Sequence, residues 1–106
     1  MARFLGLPAA DRLRRLAVNF YMAPPDCGIE AFCAMAAARG LGGVGLTARA
    51  VEALPPEALA KLLRAHDLRC TSLNSAGYVL HADAAAAAAQ AALDTRLFDA
   101  AQALDA

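Results

Sequence analysis

The sequence predicts an α/β fold in which parallel strands alternate with helices, the first three βα units of a partial (β/α) barrel. Three observations predict it. Ala38-Arg-Gly-Leu-Gly-Gly-Val-Gly-Leu-Thr aligns with Ala65-His-Asp-Leu-Arg-Cys-Thr-Ser-Leu-Asn at an offset of 27 residues, which sets Gly40 over Asp67, Leu46 over Leu73 and Thr47 over Asn74. A repeated helix-stop-strand unit marks parallel strands joined by right-handed crossovers. Each strand is apolar on one face (Val18 and Phe20, Val44 and Leu46, Thr71 and Leu73). The other face is small or polar (Ala17 and Asn19, Gly45 and Thr47, Ser72 and Asn74). A doubly wound sheet meets helices on both sides and needs two apolar faces, so this one-sided polarity favours a barrel with a polar centre over a flavodoxin-like sheet.

The elements follow in order. Pro8 to Arg15 reads as a helical turn. Strands are expected at about 16–22, 43–47 and 69–75, and helices at about 27–39, 56–66 and 83–104, all within a single partial domain, 1–106. Ala23-Pro24-Pro25 stops the first strand, and Asp26 is placed to cap a helix whose Ile29, Phe32, Cys33 and Ala36 recur at helical spacing. Gly40 closes that helix. Pro55-Pro56 opens the second, with Leu59, Leu62 and Leu63 as its stripe. The third strand ends in the turn formers Asn74, Ser75 and Gly77. Asp83 caps the third helix, with Leu93, Leu97, Ala100 and Leu104 facing inward and Asp94, Asp99 and Gln102 outward. Its end, Ala103-Leu-Asp-Ala, resembles the earlier helix stops. A crossover helix ordinarily leads to another parallel strand, so the chain reads as the opening part of something larger.

Bulk properties bound the function. At 106 residues there is room for one modest core, and the 59% apolar content argues against disorder. No apolar run approaches the roughly 18 residues of a membrane span, and the start lacks the hydrophobic stretch of a secretory signal. Ten basic residues cancel ten acidic ones, which points away from nucleic acid or an anionic membrane as partner. Cys27, Cys33 and Cys70 form no C-x-x-C pair and read as packed thiols in a reducing cytoplasm.

The order of these segments, above all Pro-Pro-Glu-Ala-Leu-Ala-Lys-Leu-Leu-Arg-Ala-His-Asp-Leu-Arg-Cys-Thr-Ser-Leu-Asn-Ser-Ala-Gly-Tyr, resembles the opening of the sugar phosphate isomerase/epimerase family, which has a xylose isomerase-like TIM barrel. The likeness runs from Leu16 to Ala106 and covers about three of the eight units of that fold. It implies an enzyme in which a divalent metal (Mg, Mn, Co or Zn) assists a proton or hydride shift between adjacent carbons of a sugar. The metal-binding Glu, Asp, His and Glu of that family come from later strands. The resemblance therefore carries no catalytic residue and no metal ligand onto this chain, and no cofactor bound by this chain alone.

The candidate substrate-binding residues are Asn19, Tyr21, Thr47, Arg49, Asn74, Tyr78 and His81. Asn19, Thr47 and Asn74 share strand ends, where a barrel pocket opens, and can bond sugar hydroxyls; their alternative is hydrogen bonding to neighbouring loops. Tyr21 and Tyr78 can wall that pocket, and Arg49 can hold a phosphate or carboxylate, unless it is an ordinary surface arginine. His81 follows the third strand and is equally readable as a solvated loop histidine. His66 sits at a helix end, a structural position. Gly40-Leu-Gly42-Gly43-Val-Gly45 satisfies G-x-G-x-x-G, but it follows a helix and runs into a strand, the reverse of a dinucleotide site.

Two functions are compatible with these residues. One is the N-terminal part of a sugar isomerase or epimerase, acting on a sugar or sugar phosphate and inactive without a complementary C-terminal segment. The other is a non-catalytic binding or scaffold module that forms a homo-oligomer through its open strand edges.

Overall fold

A computed structural model describes residues 5–106; residues 1–4, part of the start read for a secretory signal, lie outside the described residues. The chain is α/β, with one three-stranded sheet and five helices among the described residues. Helix α1 is Ala9–Arg14, followed by β1, Ala17–Asn19. Helix α2, Ile29–Ala38, leads to β2, Gly43–Thr47. Two helices come next, α3 at Ala48–Ala53 and α4 at Pro56–Ala65. Strand β3 is Arg69–Asn74 and α5 is Ala84–Leu104. The strands are parallel and lie in the order β1-β2-β3.

One face of this sheet carries the core. Val44, Leu46 and Cys70 from the strands are buried with Phe32 and Cys33 of α2, Leu59 and Leu63 of α4, and Leu97 and Ala100 of α5. The opposite face is open: Ala17, Thr71 and Asn74 are exposed, and Asn19, Thr47 and Ser72 are half-buried. Sequential strand order explains the asymmetry, because crossovers of one hand between successive neighbours carry every connecting helix to the same side.

Helix ends fix the strand starts. Gly40, Asp67 and Asp105 all adopt the left-handed conformation, with φ of 78°, 52° and 54°. After each, the next amide reaches back to a carbonyl five residues earlier: Leu41 to Ala36 at 3.1 Å, Leu68 to Leu63 at 2.9 Å, and Ala106 to Ala101 at 2.9 Å. These are Schellman closures, which satisfy carbonyls that the helix itself leaves free. Arg14 of α1 joins two of them, donating to the Leu41 carbonyl (2.9 Å) and to the Asp67 carbonyl (2.9 Å) and carboxylate (3.2 Å).

Several elements differ from the sequence expectation. The first strand covers only Ala17–Asn19, because the Asn19 side chain accepts from the Tyr21 amide at 2.8 Å and caps a 3₁₀ turn over Phe20–Met22. Asp26 does not cap α2. The Cys27 amide donates to the Pro24 carbonyl in a turn, and the helix starts at Ile29 with Gly28 at its cap. Helix α3 is an additional element between β2 and α4, beyond the expected alternation of one helix per strand.

In β3 a bulge opposite Val44/Gly45 pairs Cys70 with Val44 and Ser72 with Gly45, which leaves Thr71 extra. Thr71 therefore joins Ser72 on the open face, its Cγ2 2.8 Å from where a Cβ on Gly43 would stand, and Cys70 takes the core position. Asp94, expected to face out, accepts from the Gly77 amide (3.0 Å) and from Gln90 (2.7 Å) and so ties down the loop after β3. No helix among the described residues is long and apolar enough to cross a membrane.

Candidate functional site

The open face converges on its C-terminal edge. Asn19 ends β1, Thr47 ends β2 and Asn74 ends β3, with Asn19 paired to Gly45 and Thr47 paired to Asn74 in the sheet register. Gly45 is the keystone of this arrangement. Having no Cβ, it lets the Asn19 amide lie across β2 and donate to Asn74 Oδ1 at 3.3 Å, while Ser72 Oγ approaches the same oxygen at 3.4 Å. Asn19 Oδ1 is already committed to the Tyr21 amide. Its amide is thus fixed at both ends, and the Asn74 amide nitrogen keeps its donors for a ligand.

Above these residues is a cleft of about 400 Å³ lined by Phe20, Tyr21, Thr47, Ala48, Arg49, Asn74, Ser75, Tyr78 and Leu93. Five of the seven candidate residues, Tyr21, Thr47, Arg49, Asn74 and Tyr78, line it together, and Asn19 supports it from beneath through Asn74. His81 does not line it; it lies exposed in the loop two residues before the α5 cap Asp83, whose carboxylate accepts from the Ala86 amide at 2.8 Å. Tyr21 and Tyr78 are 83% and 62% exposed, so both rings stand free at the mouth.

Arg49 is held rather than loose. Its guanidinium lies 4.1 Å from the centroid of the Phe20 ring and donates to the Cys27 carbonyl (3.1 Å) and, at 3.5 Å, to that of Pro24. Phe20 is in turn braced by Phe32, with ring centroids 5.1 Å apart. One guanidinium nitrogen is spent on the loop after β1, and the other two remain available on the cleft side of a stacked cation.

Phe20, Ala48, Ser75 and Leu93 also line the cleft and are not among the candidate site residues read from sequence. Phe20 reads there as ordinary core, and Leu93 as one of a helix stripe. Only the fold shows that both also floor a cleft.

The lining offers amide, hydroxyl and phenol groups and one cation, with no carboxylate and no imidazole. Among the described residues no three His, Cys, Asp or Glu side chains gather as metal ligands do. A hard divalent ion selects carboxylate and imidazole ligands, so these residues do not fit the metal that the resemblance implies. The thiols lie apart. Burial, reinforced by Glu30, pushes Cys33 up to about 11, and burial raises Cys70 above its ordinary value against an opposing hydrogen bond with the Ser72 backbone. Both are protonated packing groups, not nucleophiles, and all three cysteines are free.

These features define an α/β chain with a one-sided parallel sheet and, at its strand ends, a cleft lined by hydroxyl, amide and phenol groups and one arginine. Comparison with known proteins finds no matching family model, no similar curated protein and no similar solved structure.

Proposed function

We propose that this chain is the sugar-binding N-terminal part of a (β/α) barrel of the sugar phosphate isomerase/epimerase kind. The observation that supports it most is the Asn19–Asn74 amide pair over Gly45, which gathers polar groups on an open face at the C-terminal strand ends, where barrel enzymes bind substrate. Amides and hydroxyls pair with sugar hydroxyls as both donors and acceptors, and exposed tyrosine rings cover the apolar faces of a sugar. Arg49 supplies the positive charge a phosphate seeks. In this reading the chain orients the substrate, and the proton or hydride shift requires carboxylates and a metal site that these residues do not provide. Three free thiols suit a reducing cytoplasm.

The test is an amide-resolved NMR titration with a pentose phosphate, the free pentose and inorganic phosphate as separate probes. Millimolar pentose phosphate is expected to shift Asn19, Thr47, Asn74 and Tyr78, and Asn74→Ala to remove the response. Shifts scattered elsewhere, or none, would count against the sugar reading. Added divalent metal is expected to produce no isomerisation from this chain alone; turnover would refute the missing reaction centre.

A second reading is favoured by the outer sides of β1 and β3, which pair with no strand among the described residues. A non-catalytic module self-associating there would run as a discrete, thermally stable oligomer in light scattering.

A further inference from the structure

At the end of the sheet opposite the cleft, below the strand starts, Leu7, Asp11, Arg14, Arg15 and Arg69 line a pocket of about 370 Å³. We propose that this pocket is a binding site for a small polyvalent oxyanion of the diphosphate class. The inference uses only α1, the residues just before it and the first residue of β3, and it does not depend on the sugar reading.

Three observations carry it. The first is convergence. Arg14 ends α1 and Arg15 is its cap, and the end of a helix favours cations on its own account. Arg69 instead opens a strand, where its amide donates to the Gly42 carbonyl at 3.0 Å. No helix end accounts for that third arginine, yet it lines the same pocket.

The second is that one guanidinium is set in place beforehand. Arg14 donates to the Leu41 carbonyl and to the carbonyl and carboxylate of Asp67, and so is held, half-buried, between two helix stops. A guanidinium has five N–H groups, so these bonds leave donors for a ligand. A planar fork already fixed in position loses little freedom when it binds an oxyanion.

The third is charge left unmatched. The contact between Arg14 and Asp67 is the one ion pair among the described residues. Asp11, the single carboxylate lining the pocket, therefore pairs with neither Arg15 nor Arg69, and all three are exposed. With Asp11 and Asp67 set against the three arginines, the pocket stays net positive in a chain whose total charge is zero. Like charges gathered in one place repel. A phosphoryl group relieves that repulsion and accepts the paired hydrogen bonds that a guanidinium offers.

The test titrates the full chain with inorganic diphosphate, against sodium chloride at matched ionic strength, and follows backbone amides and arginine Nε–H groups by NMR. Millimolar diphosphate is expected to shift Arg14, Arg15 and Arg69, signals distinct from those of Asn19, Thr47 and Asn74 at the sugar cleft. Arg15→Gln and Arg69→Gln should each weaken binding about tenfold, the loss of one charged hydrogen bond. Both side chains are exposed, so the fold persists. Asp11→Asn should tighten binding by about two- to fivefold, the range of an exposed charge pair. Lys61→Gln lowers the net charge equally, but Lys61 is exposed on α4 and does not line the pocket, so affinity should be unchanged. The proposal is overturned if chloride reproduces the shifts, if Lys61→Gln weakens binding as much as Arg69→Gln, or if diphosphate moves only Arg49 and Asn74. Binding to phosphatidylglycerol vesicles with no response to diphosphate overturns it as well, because the arginines would then serve a membrane surface.

Discussion

Asn19 and Asn74, on the two outer strands of the sheet, are joined amide to amide at 3.3 Å across a middle strand that contributes only a glycine at the crossing. A Cβ on Gly45 would stand 2.6 Å from Asn19 Nδ2 and 2.8 Å from Ser72 Oγ. The serine can rotate away, whereas the asparagine amide is pinned by its bond to the Tyr21 amide. Gly45→Ala is therefore expected to cost about 1–3 kcal/mol as an overpacking change. Asn19→Ala alone should cost about 1 kcal/mol through the lost cap. The double substitution should cost less than the sum, because removing the amide makes room for the methyl. Urea unfolding of the four proteins measures the coupling, and strictly additive losses would show that the two positions do not touch.

Gly42 poses a harder steric problem. A Cβ there would lie 2.6 Å from the Arg14 carbonyl carbon and 3.1 Å from its Cα, both backbone atoms. Backbone cannot swing aside, so α1 must shift. Gly42→Ala is expected to destabilise by roughly 3 kcal/mol and to break the Arg14 bonds to Leu41 and Asp67. Faster hydrogen exchange across α1 and at the amides following the two stops would register it. A wild-type exchange pattern would mean that α1 does not rest on this glycine.

What the sequence made legible, and what it hid, divides along physical lines. The helix stops at Gly40 and Asp67 were readable because few residues tolerate positive φ and both are followed by leucine, and β2 was readable because alternation with glycine leaves little choice of register. The bulge at Thr71 was not. Counting by twos assumes an unbroken pleat, and nothing local to Arg69-Cys70-Thr71-Ser72 announces an extra residue. Helix α3 did leave a signal: Ala48-Arg-Ala-Val-Glu-Ala holds strong helix formers with Ala50 and Val51 buried, and Leu54 before two prolines ends it. Asn19, Thr47 and Asn74 do end their strands, but Phe20 and Leu93 carry no chemistry that marks them as lining the cleft. His81 shared its neighbours' sequence position without sharing their place in the fold.

The stop at Asp67 balances two terms that mutation can separate. A non-glycine residue in the left-handed region costs about 1 kcal/mol, and the exposed pair with Arg14 at 3.2 Å returns at most a similar amount. Asp67→Gly relieves the first and forfeits the second, so its stability should match the parent within about 1 kcal/mol at low salt and exceed it in high salt. Asp67→Ala keeps the strain and loses the pair, and should be the weakest of the three by about 1–2 kcal/mol. Thermal melts at two ionic strengths test this ordering. A Gly variant well below the Ala variant would show that the stop does not need its left-handed conformation.

Arg49 is stacked on Phe20 and bonded to the Cys27 carbonyl, a geometry that a lysine ammonium does not reproduce. Arg49→Lys is expected to cost about 1 kcal/mol of stability, within the range of a partly exposed cation-π contact and one charged hydrogen bond. Because the charge stays near the cleft, phosphate-dependent binding should weaken without vanishing. Arg49→Met should lose that binding while retaining much of the packing on Phe20. Equal affinity for a pentose phosphate and the free pentose in the parent would remove any anion-binding role from this residue.

Cys33 makes the stability of the fold fall in alkali. Its thiol is buried beneath the sheet at 0% exposure, and its pKa rises to about 11 from 9.0, first through desolvation and then through the nearby Glu30 carboxylate. The unfolded chain loses this proton near pH 9 and the folded chain only near 11, so between those values the folded state binds more protons and stability drops as pH rises. The contribution is fully present below pH 9. It declines by at most about 1.4 kcal/mol per pH unit and is gone above 11, with Cys70 adding a smaller loss of the same sign. Cys33→Ala should be less stable than the parent at neutral pH, by roughly 1 kcal/mol for the vacated volume, yet should show a shallower decline above pH 9, so that the two curves meet and then cross before pH 11. Urea midpoints measured from pH 7 to 11 give the comparison, and parallel curves would place the alkaline loss on other groups.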